Sequence, residues 1–398
     1  MSLIDHVKLG SISEIITKGT TPTTLGYDFQ REGINFLKVE CFDESGRFIP
    51  DKVAFISREC NEKLKRSQLK KGDILFSIAG AIGRVSVVTE NMLPANTNQA
   101  LAIIRIKEDN LYLPYIQLIL NSQIVKRQLE KKKQGVAQLN ISLKDVSELT
   151  IPIPQKETQI KYAKLFEKIS MVIRHRKKQL KKFDELIKAR FVELFGDLME
   201  NPFNWPMKTI ADVSLFLKSG LSRKLSDEDI GLPVIRSGNI QNGQFIFDNV
   251  KYWYKDDPQG ANTKDYVLED GDVLVNFINS SSQIGKTAIY RDTGRDCIYT
   301  TNIFRMKLAD NCNEYYYNWF AMSDYYYRHL QNIIQPAVNQ SSFTTVNFLK
   351  LPIPLPAKDK QNEFAEFVKQ VDKSKVAIQK SLAETQLLFD KLMQDYFG

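Results

Sequence analysis

With 398 residues, 43% of them hydrophobic and 26% charged, the chain is too long for one ordinary core and has the composition of a soluble protein with two or more domains. The sequence contains no apolar run of the roughly 18–20 residues that a membrane helix needs, and its first residues lack the pattern of a signal peptide, so we expect a cytoplasmic protein. Four scattered cysteines exclude a disulfide framework and a Cys-x-x-Cys zinc site, and a net charge of +8 is a weak indication of nucleic-acid binding.

The first 155 residues are predicted to form a mixed, β-rich domain. The segments Asp73–Ile78, Arg84–Val88 and Ala102–Ile106 are rich in β-branched or aromatic residues and are bounded by Gly, Pro or Asn, which is typical of strands. A helical stretch is expected near Tyr112–Lys132.

An uninterrupted helix is predicted over residues 156–196, because Pro152 and Pro154 end the preceding strand and neither Gly nor Pro follows before Gly196. Its apolar residues recur in steps of three, four and seven, which is a heptad seam. The seam consists of Phe166, Ile169, Ile173, Leu180, Phe183 and Ile187, and continues to Phe191 and Leu194. One slot holds a charge, Arg176, and the segment as a whole has 12 basic and 5 acidic side chains.

The second half of the chain repeats the first. The sequence GDILFSIAGAIGRVSVV (72–88) matches GDVLVNFINSSSQIGKTAIY (271–290), and three residues are inserted in the turn of the second copy. The repeat predicts a second β-rich domain with a helical stretch near Glu314–Gln331, followed by a second long helix. The seam of that helix is Val368, Val371, Ile378, Leu382 and Phe389, and it continues to Met393 and Tyr396. At about 1.5 Å per residue each helix is about 60 Å long, and two such narrow seams favour an antiparallel pair that joins the two domains.

The tripeptide Gly285-Lys286-Thr287 has the last three letters of a phosphate-binding loop, but the rest of that motif is missing. The required first glycine falls on Ser280, and the residues that follow predict a strand instead of a helix. Because the matching position in the first half is Gly83-Arg84-Val85, we interpret both as turns before a strand. The sequence also lacks a Gly-rich cofactor loop, an Asn-Pro-Pro-Tyr methyltransferase motif and metal-ligand spacing among its three histidines, so no catalytic residue and no metal site is predicted.

Turns rich in small, amide and basic residues recur at equivalent places in both halves. Asn and Gln pair with adenine, Arg and Lys pair with guanine or phosphate, and Gly lets the backbone approach a phosphate or base. These residue types are also common in ordinary solvated turns. For any single residue, an ordinary turn is a better interpretation than a DNA contact. Because the whole set recurs, we predict that it binds nucleic acid. The candidate DNA-binding residues are Thr20, Thr21, Lys38, Arg84, Asn98, Gln138, Asn140, Ser219, Arg223, Arg236, Asn239, Ser281, Ser282, Lys286, Asn302, Asn339 and Gln340.

The order and duplication of these motifs resemble the specificity subunit of type I restriction–modification systems. The matching segments are VKLGSISEIITKGTTP near the start, the two Gly-Asp turn motifs, the proline steps IPIP and LPIPLP before the long helices, and FDELIKARFVELFGD at the end of the first helix. The resemblance covers essentially the whole chain. The second half departs from it most, with KSGLSRK where the first half has KGTTPT.

The resemblance implies an α+β fold, with two β-rich mixed target-recognition domains in a pseudo-two-fold arrangement, separated by a coiled coil of two long antiparallel helices. The predicted domains are residues 1–155 and 199–356, and the predicted spacer helices are 156–198 and 357–398. In such a subunit, each domain reads one half of a bipartite double-stranded DNA site, while the helices set the spacer.

The resemblance also implies partners. Two methyltransferase subunits would dock on the helices, bind S-adenosylmethionine and methylate a flipped adenine, and two restriction/translocase subunits with ATP and Mg would complete a restriction complex. This chain itself would be non-catalytic and bind no cofactor. Two other interpretations stay open: a non-enzymatic scaffold protein, whose two β-rich domains are bridged by a coiled coil that binds other proteins, and a self-contained enzyme.

Overall fold

The computed structural model describes residues 5–107, 110–133, 140–241, 243–336 and 340–397, with the side chain of residue 133 left out. The chain divides into two compact units, here called unit 1 (residues 1–177 and 380–398) and unit 2 (residues 178–379). Each unit contains one β-rich region together with half of each long helix. The units therefore cut across the predicted domain boundaries, which stay a prediction.

Unit 1 begins with strands and short helices. Its strands are β1 Asp5–Lys8, β2 Ser13–Lys18, β3 Ile34–Leu37, β4 Ala54–Ile56, β5 Ile74–Ser77, β6 Val85–Val87, β7 Ala95–Thr97, β8 Leu101–Ile106 and β9 Thr150–Ile153. Its helices are α1 Arg58–Lys63, α2 Leu113–Leu120, α3 Gln123–Lys133 and α4 Leu143–Ser147, followed by the long helix α5 Lys156–Phe195. A four-stranded antiparallel sheet has the order β2-β8-β5-β6, a three-stranded sheet has the order β4-β3-β7, and β1 pairs with β9.

Unit 2 repeats this arrangement. Its strands are β10 Met207–Thr209, β11 Ser214–Ser219, β12 Gly231–Ile235, β13 Ile240–Gln241, β14 Gln244–Phe245, β15 Lys251–Tyr254, β16 Val273–Asn276, β17 Ile278–Asn279, β18 Thr287–Ile289, β19 Ile298–Tyr299, β20 Ile303–Leu308, β21 Ser341–Ser342 and β22 Pro352–Pro354. Its helices are α6 Glu314–Phe320, α7 Asp324–Gln331 and α8 Thr345–Leu349, followed by the long helix α9 Lys358–Phe397. The sheets β11-β20-β16-β18, β15-β12-β19 and β10-β22 have the same order as their counterparts in unit 1.

The helical stretch of each β-rich region is broken into two helices at matching serines. In unit 1 the break between α2 and α3 contains Ser122, and in unit 2 the break between α6 and α7 contains Ser323. The Ser323 hydroxyl accepts a hydrogen bond from the backbone N–H of Tyr326 at 3.2 Å, so it caps the start of α7. The sequence predicts the helical content correctly but not this break.

Each long helix is tied to its β-rich region by a buried glutamine in its first turn. The side chain of Gln159 accepts a hydrogen bond from the backbone N–H of Tyr112 at 2.9 Å and donates to the carbonyls of Asn110 and Pro154 at 3.2 and 2.8 Å. Gln361, in the same place on α9, makes the same three contacts with Asn313, Asn311 and Pro356 at 2.8, 3.0 and 2.8 Å. The duplication therefore extends to individual hydrogen bonds.

Within each unit the two long helices run antiparallel. In unit 1 the ring of Phe166 packs against Phe389 and Phe397, with centroids 5.3 and 5.6 Å apart. In unit 2 the ring of Phe191 packs against Phe364 at 5.3 Å. All the seam residues predicted on the two helices are buried or half-buried. The predicted α+β fold with a pair of long antiparallel helices is confirmed.

No helix in the described ranges has the length and apolar character that crossing a bilayer requires.

Candidate nucleic-acid interface

The polar turns of unit 1 meet at one end of its four-stranded sheet. Strands β2 and β5 end there, at Lys18 and Ser77, and strands β6 and β8 begin there, at Val85 and Leu101. Because neighbouring strands are antiparallel, the connections after β2 and β5 and before β6 and β8 lie at the same edge. We call this set of connections, together with residue 140, the unit 1 loop cluster.

Direct contacts join the connection after β2 to the connection before β8. The backbone N–H of Gly19 donates to the carbonyl of Asn98 at 3.2 Å, and the hydroxyl of Thr21 donates to the side-chain oxygen of Gln99 at 2.6 Å. A Cβ on Gly19 would lie 1.7 Å from the carbonyl oxygen of Thr97, so only glycine fits this approach. The predicted residues Thr20, Thr21 and Asn98 are therefore brought together.

The turn between β5 and β6 completes the cluster. The backbone N–H of Ile78 donates to the carbonyl of Ala100 at 2.9 Å, and Ala79 forms a β-bridge with Asn140, whose side chain is exposed. The predicted residue Gln138 lies outside the described residues.

Arg84 has an internal role in this turn. Its Nη1 donates to the carbonyls of Val39 and Phe42 at 3.2 and 2.7 Å, and so fixes the loop that follows β3. Lys38, at the start of that loop, is half-buried, forms a 3.1 Å ion pair with Glu40 and lies over the ring of Phe29. Contact of either cation with DNA stays a prediction.

Unit 2 has the same cluster at the same end of its sheet. Strand β11 ends at Ser219 and β16 at Asn276, while β18 begins at Thr287 and β20 at Ile303. We call the connections at this end, with residues 236–241 and 340–342, the unit 2 loop cluster.

Backbone hydrogen bonds hold the unit 2 cluster together. The N–H of Leu221 donates to the carbonyl of Tyr299 at 2.9 Å, and the carbonyl of Asn302 accepts from Phe277 and Ile278 at 3.2 and 3.4 Å. Strand β17 pairs with β21, which places the serine-rich turn beside the segment that contains Gln340. Ser281, Ser282 and Gln340 are exposed, Ser219 and Asn302 are half-buried, and Asn339 lies outside the described residues.

Three polar residues predicted in unit 2 are already engaged inside the fold. Arg223 forms a bidentate ion pair with Asp257, whose side chain has 0% exposure, and the hydrogen bond from Arg223 holds the pKa of that carboxyl far below its usual range. Arg236 donates to the carbonyl of Asn249 at 2.5 Å. Asn239 is buried and uses its amide to hold the backbone of residues 236, 246 and 248. Contact of these three residues with DNA stays a prediction.

Lys286 differs, because it borders an open polar pocket. The pocket has a volume of about 410 Å³ and is lined by Ser237, Gly238, Ile240, Gln241, Asn279, Gln283 and Lys286. Among the described residues, the Lys286 ammonium has neither a hydrogen bond nor an ion pair. As predicted, the turn is followed by a strand, so the tripeptide is not a nucleotide loop.

The structure adds three amides to this pocket that the sequence analysis did not single out as candidates: Gln241, Asn279 and Gln283. Two of them lie in the turn that is three residues longer than its counterpart in unit 1. The length difference was the signal that could have identified them. Asn and Gln side chains can pair with the major-groove edge of adenine, and a lysine can bind guanine or phosphate.

The aspartates of the two Gly-Asp motifs form buried ion pairs with arginines of the neighbouring strands β8 and β20. Arg105 forms a bidentate ion pair with buried Asp73, with both distances 2.7 Å, and Arg305 Nε lies 2.6 Å from buried Asp272. Burial raises the pKa of Asp272, and the Arg305 guanidinium opposes that rise. The motif is therefore structural in both units. In the described ranges no group of His, Cys, Asp and Glu residues could hold a metal ion, and the four cysteines are free and buried.

A family model described as the type I restriction modification DNA specificity domain matches the chain twice, over residues 1–182 and 202–386. Curated relatives include a putative type I restriction enzyme MjaX specificity subunit from Methanocaldococcus jannaschii, which is 28% identical over 177 residues, or 44% of this chain and 41% of the relative. A type I restriction enzyme EcoBI specificity subunit from Escherichia coli is 31% identical over 141 residues, or 35% of this chain and 29% of the relative. The chain thus spans less than half the length of these two relatives.

Solved structures show a similar fold over nearly the whole chain. One comes from a study of complex assembly and conformational transition of the type I R-M system, with 18% identity, a TM-score of 0.56 and coverage of 99% of this chain and 96% of that one. Another is a type I restriction-modification system S subunit from M. genitalium, with 14% identity, a TM-score of 0.54 and coverage of 100% and 97%.

Proposed function

Because the chain belongs to the family of type I restriction modification DNA specificity domains, we propose that it is the DNA-recognition subunit of a type I restriction–modification complex. Each unit reads one half of a bipartite double-stranded site with its loop cluster. One observation carries this proposal: the polar turns of both units gather at the same end of equivalent four-stranded sheets, although their residues have diverged.

The divergence is what two different half-sites would require. The unit 1 turn after β5 has alanine and glycine where the unit 2 turn has serines and amides. A turn of small residues lets the protein backbone come close to the DNA, whereas an amide-lined pocket favours hydrogen bonds with base edges. The two clusters therefore suit different sequences.

The long helices set the separation of the half-sites and dock two methyltransferase subunits. The chain itself is non-catalytic and binds no cofactor. Its methyltransferase partners supply S-adenosylmethionine chemistry on a flipped adenine, and two restriction/translocase partners use ATP and Mg. A scaffold without DNA binding is the alternative that the test must exclude.

Inserting one heptad into each long helix tests the spacer. Seven helical residues add about 10 Å, which corresponds to about three base pairs at 3.4 Å per step. We expect the methylated site to gain about three base pairs between unchanged half-sites, as read by sequencing of methylated DNA from cells that also contain the partner methyltransferase. An altered half-site with an unchanged spacer would contradict the assignment. Absence of sequence-dependent DNA retention by the assembled complex would favour the scaffold.

A further inference from the structure

Polar contacts interrupt the apolar seam of the long helices in both units. In unit 1, Arg176 on α5 is half-buried, and its Nη1 donates to the carbonyl of Ser381 at 2.7 Å and to the hydroxyl of Thr385, both on α9. Arg176 occupies a seam slot, so its guanidinium is held against the partner helix instead of in solvent.

In unit 2 the buried cation comes from the other helix. Lys375 on α9 has only 8% side-chain exposure, and its Nζ lies 2.7 Å from Asp184 on α5 and 3.8 Å from Asp372. The seven-residue step between Val371 and Ile378 leaves Lys375 in an unfilled seam slot. That gap was the signal in the sequence for this buried lysine.

The aromatic contacts of Phe166 are compatible with more than one alignment of the seam. Phe166 contacts both Phe389 and Tyr396, with centroids 5.3 and 6.2 Å apart, and these two rings are seven residues apart on α9. A one-heptad slip would therefore replace one aromatic contact by another. Heptad seams admit such slips unless polar residues select one alignment.

Arg176 selects against a slip in either direction. A shift of one heptad replaces Thr385 by Ile378 or by Leu392. Neither apolar side chain can accept a hydrogen bond from the guanidinium, so the cation would lose its side-chain partner in the seam. Loss of a partner from a buried charge is strongly destabilising.

Lys375 selects against the same two slips. The shift that brings Ile378 to Arg176 replaces Asp184 by Lys177, which is a like charge, and the opposite shift replaces Asp184 by Phe191. In the observed alignment both cations have partners. In each slipped alignment both lose their side-chain partner on the opposite helix.

We propose that Arg176 and Lys375 are positioning residues that fix the register of α5 against α9. If the proposed function holds, this register sets the separation of the two half-sites, because a one-heptad slip moves one helix by about 10 Å along the other. The register itself is measurable without DNA or partners, so failure of this inference is distinguishable from failure of the proposed function.

The test is a distance measurement by electron paramagnetic resonance on the full-length chain. Spin labels are placed at Lys168→Cys and Glu384→Cys, two exposed positions in unit 1, while the four native cysteines are buried. We expect one narrow distance distribution for the otherwise unchanged chain. The variant R176L/K375L is expected to keep its thermal stability, because apolar replacement of buried charges is often neutral, but to show a second population whose label-to-label distance differs by up to about 10 Å. The control K178L/K373L removes two exposed cations and should keep the single population.

A charge reversal makes the test more specific. In K375E the slipped alignment gains an attraction between the introduced carboxylate and Lys177, and the observed alignment gains repulsion from Asp184, so the second population should grow. Adding D184K should return the chain to one population. A single unchanged distribution in both R176L/K375L and K375E, or unfolding of R176L/K375L in thermal melts, would overturn the inference.

Discussion

The turns that follow β5 in unit 1 and β16 in unit 2 occupy the same place and hold a basic residue at the same position, yet the two cations have different surroundings. Arg84 is tied to two backbone carbonyls, whereas Lys286 borders a polar pocket without an internal partner among the described residues. In this duplicated fold, one copy of the basic residue stabilises the turn, and the other is available for the DNA contact that we propose. The contacts that the two units share and the divergent residues of their turns can be tested separately.

Changes to the contacts shared by both units should have the largest effects on the free energy of unfolding. Replacing Gln361 by Ala leaves a backbone N–H and two carbonyls without their partner, which we expect to cost about 3 kcal/mol of the free energy of unfolding. Replacing Gln159 should cost a similar amount in unit 1, because its three hydrogen bonds are the same. Chemical denaturation followed by circular dichroism measures both, with the exposed Gln370→Ala as the control. A large cost in one unit and none in the other would show that the two anchors are not equivalent.

Arg84→Ala should destabilise the chain by about 1–3 kcal/mol, because the carbonyls of Val39 and Phe42 lose a charged donor. The sequence also predicts a loss of DNA affinity for this variant. Comparison with Arg84→Lys separates the effects, because lysine keeps the charge but cannot reproduce the geometry of the guanidinium. Unchanged denaturation of Arg84→Ala would mean that the two hydrogen bonds have no stabilising role.

Lys286→Ala should show the opposite behaviour. We expect a change in the free energy of unfolding within about 0.5 kcal/mol, since the ammonium has no partner to lose among the described residues. DNA affinity should fall, and the slope of log affinity against log salt should decrease by about 1 if Lys286 neutralises one phosphate. Titrations at several salt concentrations measure this slope, with Lys350→Ala as a control outside the cluster. Equal affinity at every salt concentration would remove Lys286 from the interface.

The smallest effect concerns acid stability, where unit 1 again differs from unit 2. Hydrogen bonds from Lys132 and then Ser142 lower the pKa of Asp145 to about 2, from an ordinary value of 3.8. Since the folded-state pKa is the lower one, this contribution is present above about pH 4 and is lost as the pH falls through about 2.

Unit 2 has Asn347 at the matching position, where its backbone N–H donates to the capping hydroxyl of Thr344 and its side chain carries no charge. Asp145→Asn should therefore flatten the pH dependence of stability between about pH 4 and pH 2, while Asn347→Asp, which lacks a lysine partner, should change it less. Thermal melts across this range measure the difference. A steeper dependence in Asp145→Asn than in the original chain would contradict the assignment.

The sequence predicts the parts of this molecule that depend on local pattern and repetition. The long helices follow from their heptad seams, and the strand after Gly285-Lys286-Thr287 follows from its β-branched residues and its counterpart after Arg84. The grouping of the polar turns follows from antiparallel strand order once the strands are placed. Contacts between distant residues could not be predicted in this way, because their partners are set by tertiary packing.

Arg84 is one example, since the carbonyls that it binds belong to Val39 and Phe42, more than 40 residues earlier in the chain. Asn239 is another, because its side-chain amide already donates hydrogen bonds to backbone carbonyls of its own loop. Composition alone gives such residues the same weight as Lys286. The structure separates them by burial and by the number of partners that each side chain already has.

The central claim is that each loop cluster reads its own half-site. The most direct measurement is the mapping of methylated bases in cells that contain the partner methyltransferase and either the original chain or the triple variant Q241A/N279A/Q283A. We expect one half-site to become relaxed or lost, while the other half-site and the spacer stay the same. Unchanged specificity in both half-sites, or altered specificity in both, would contradict it.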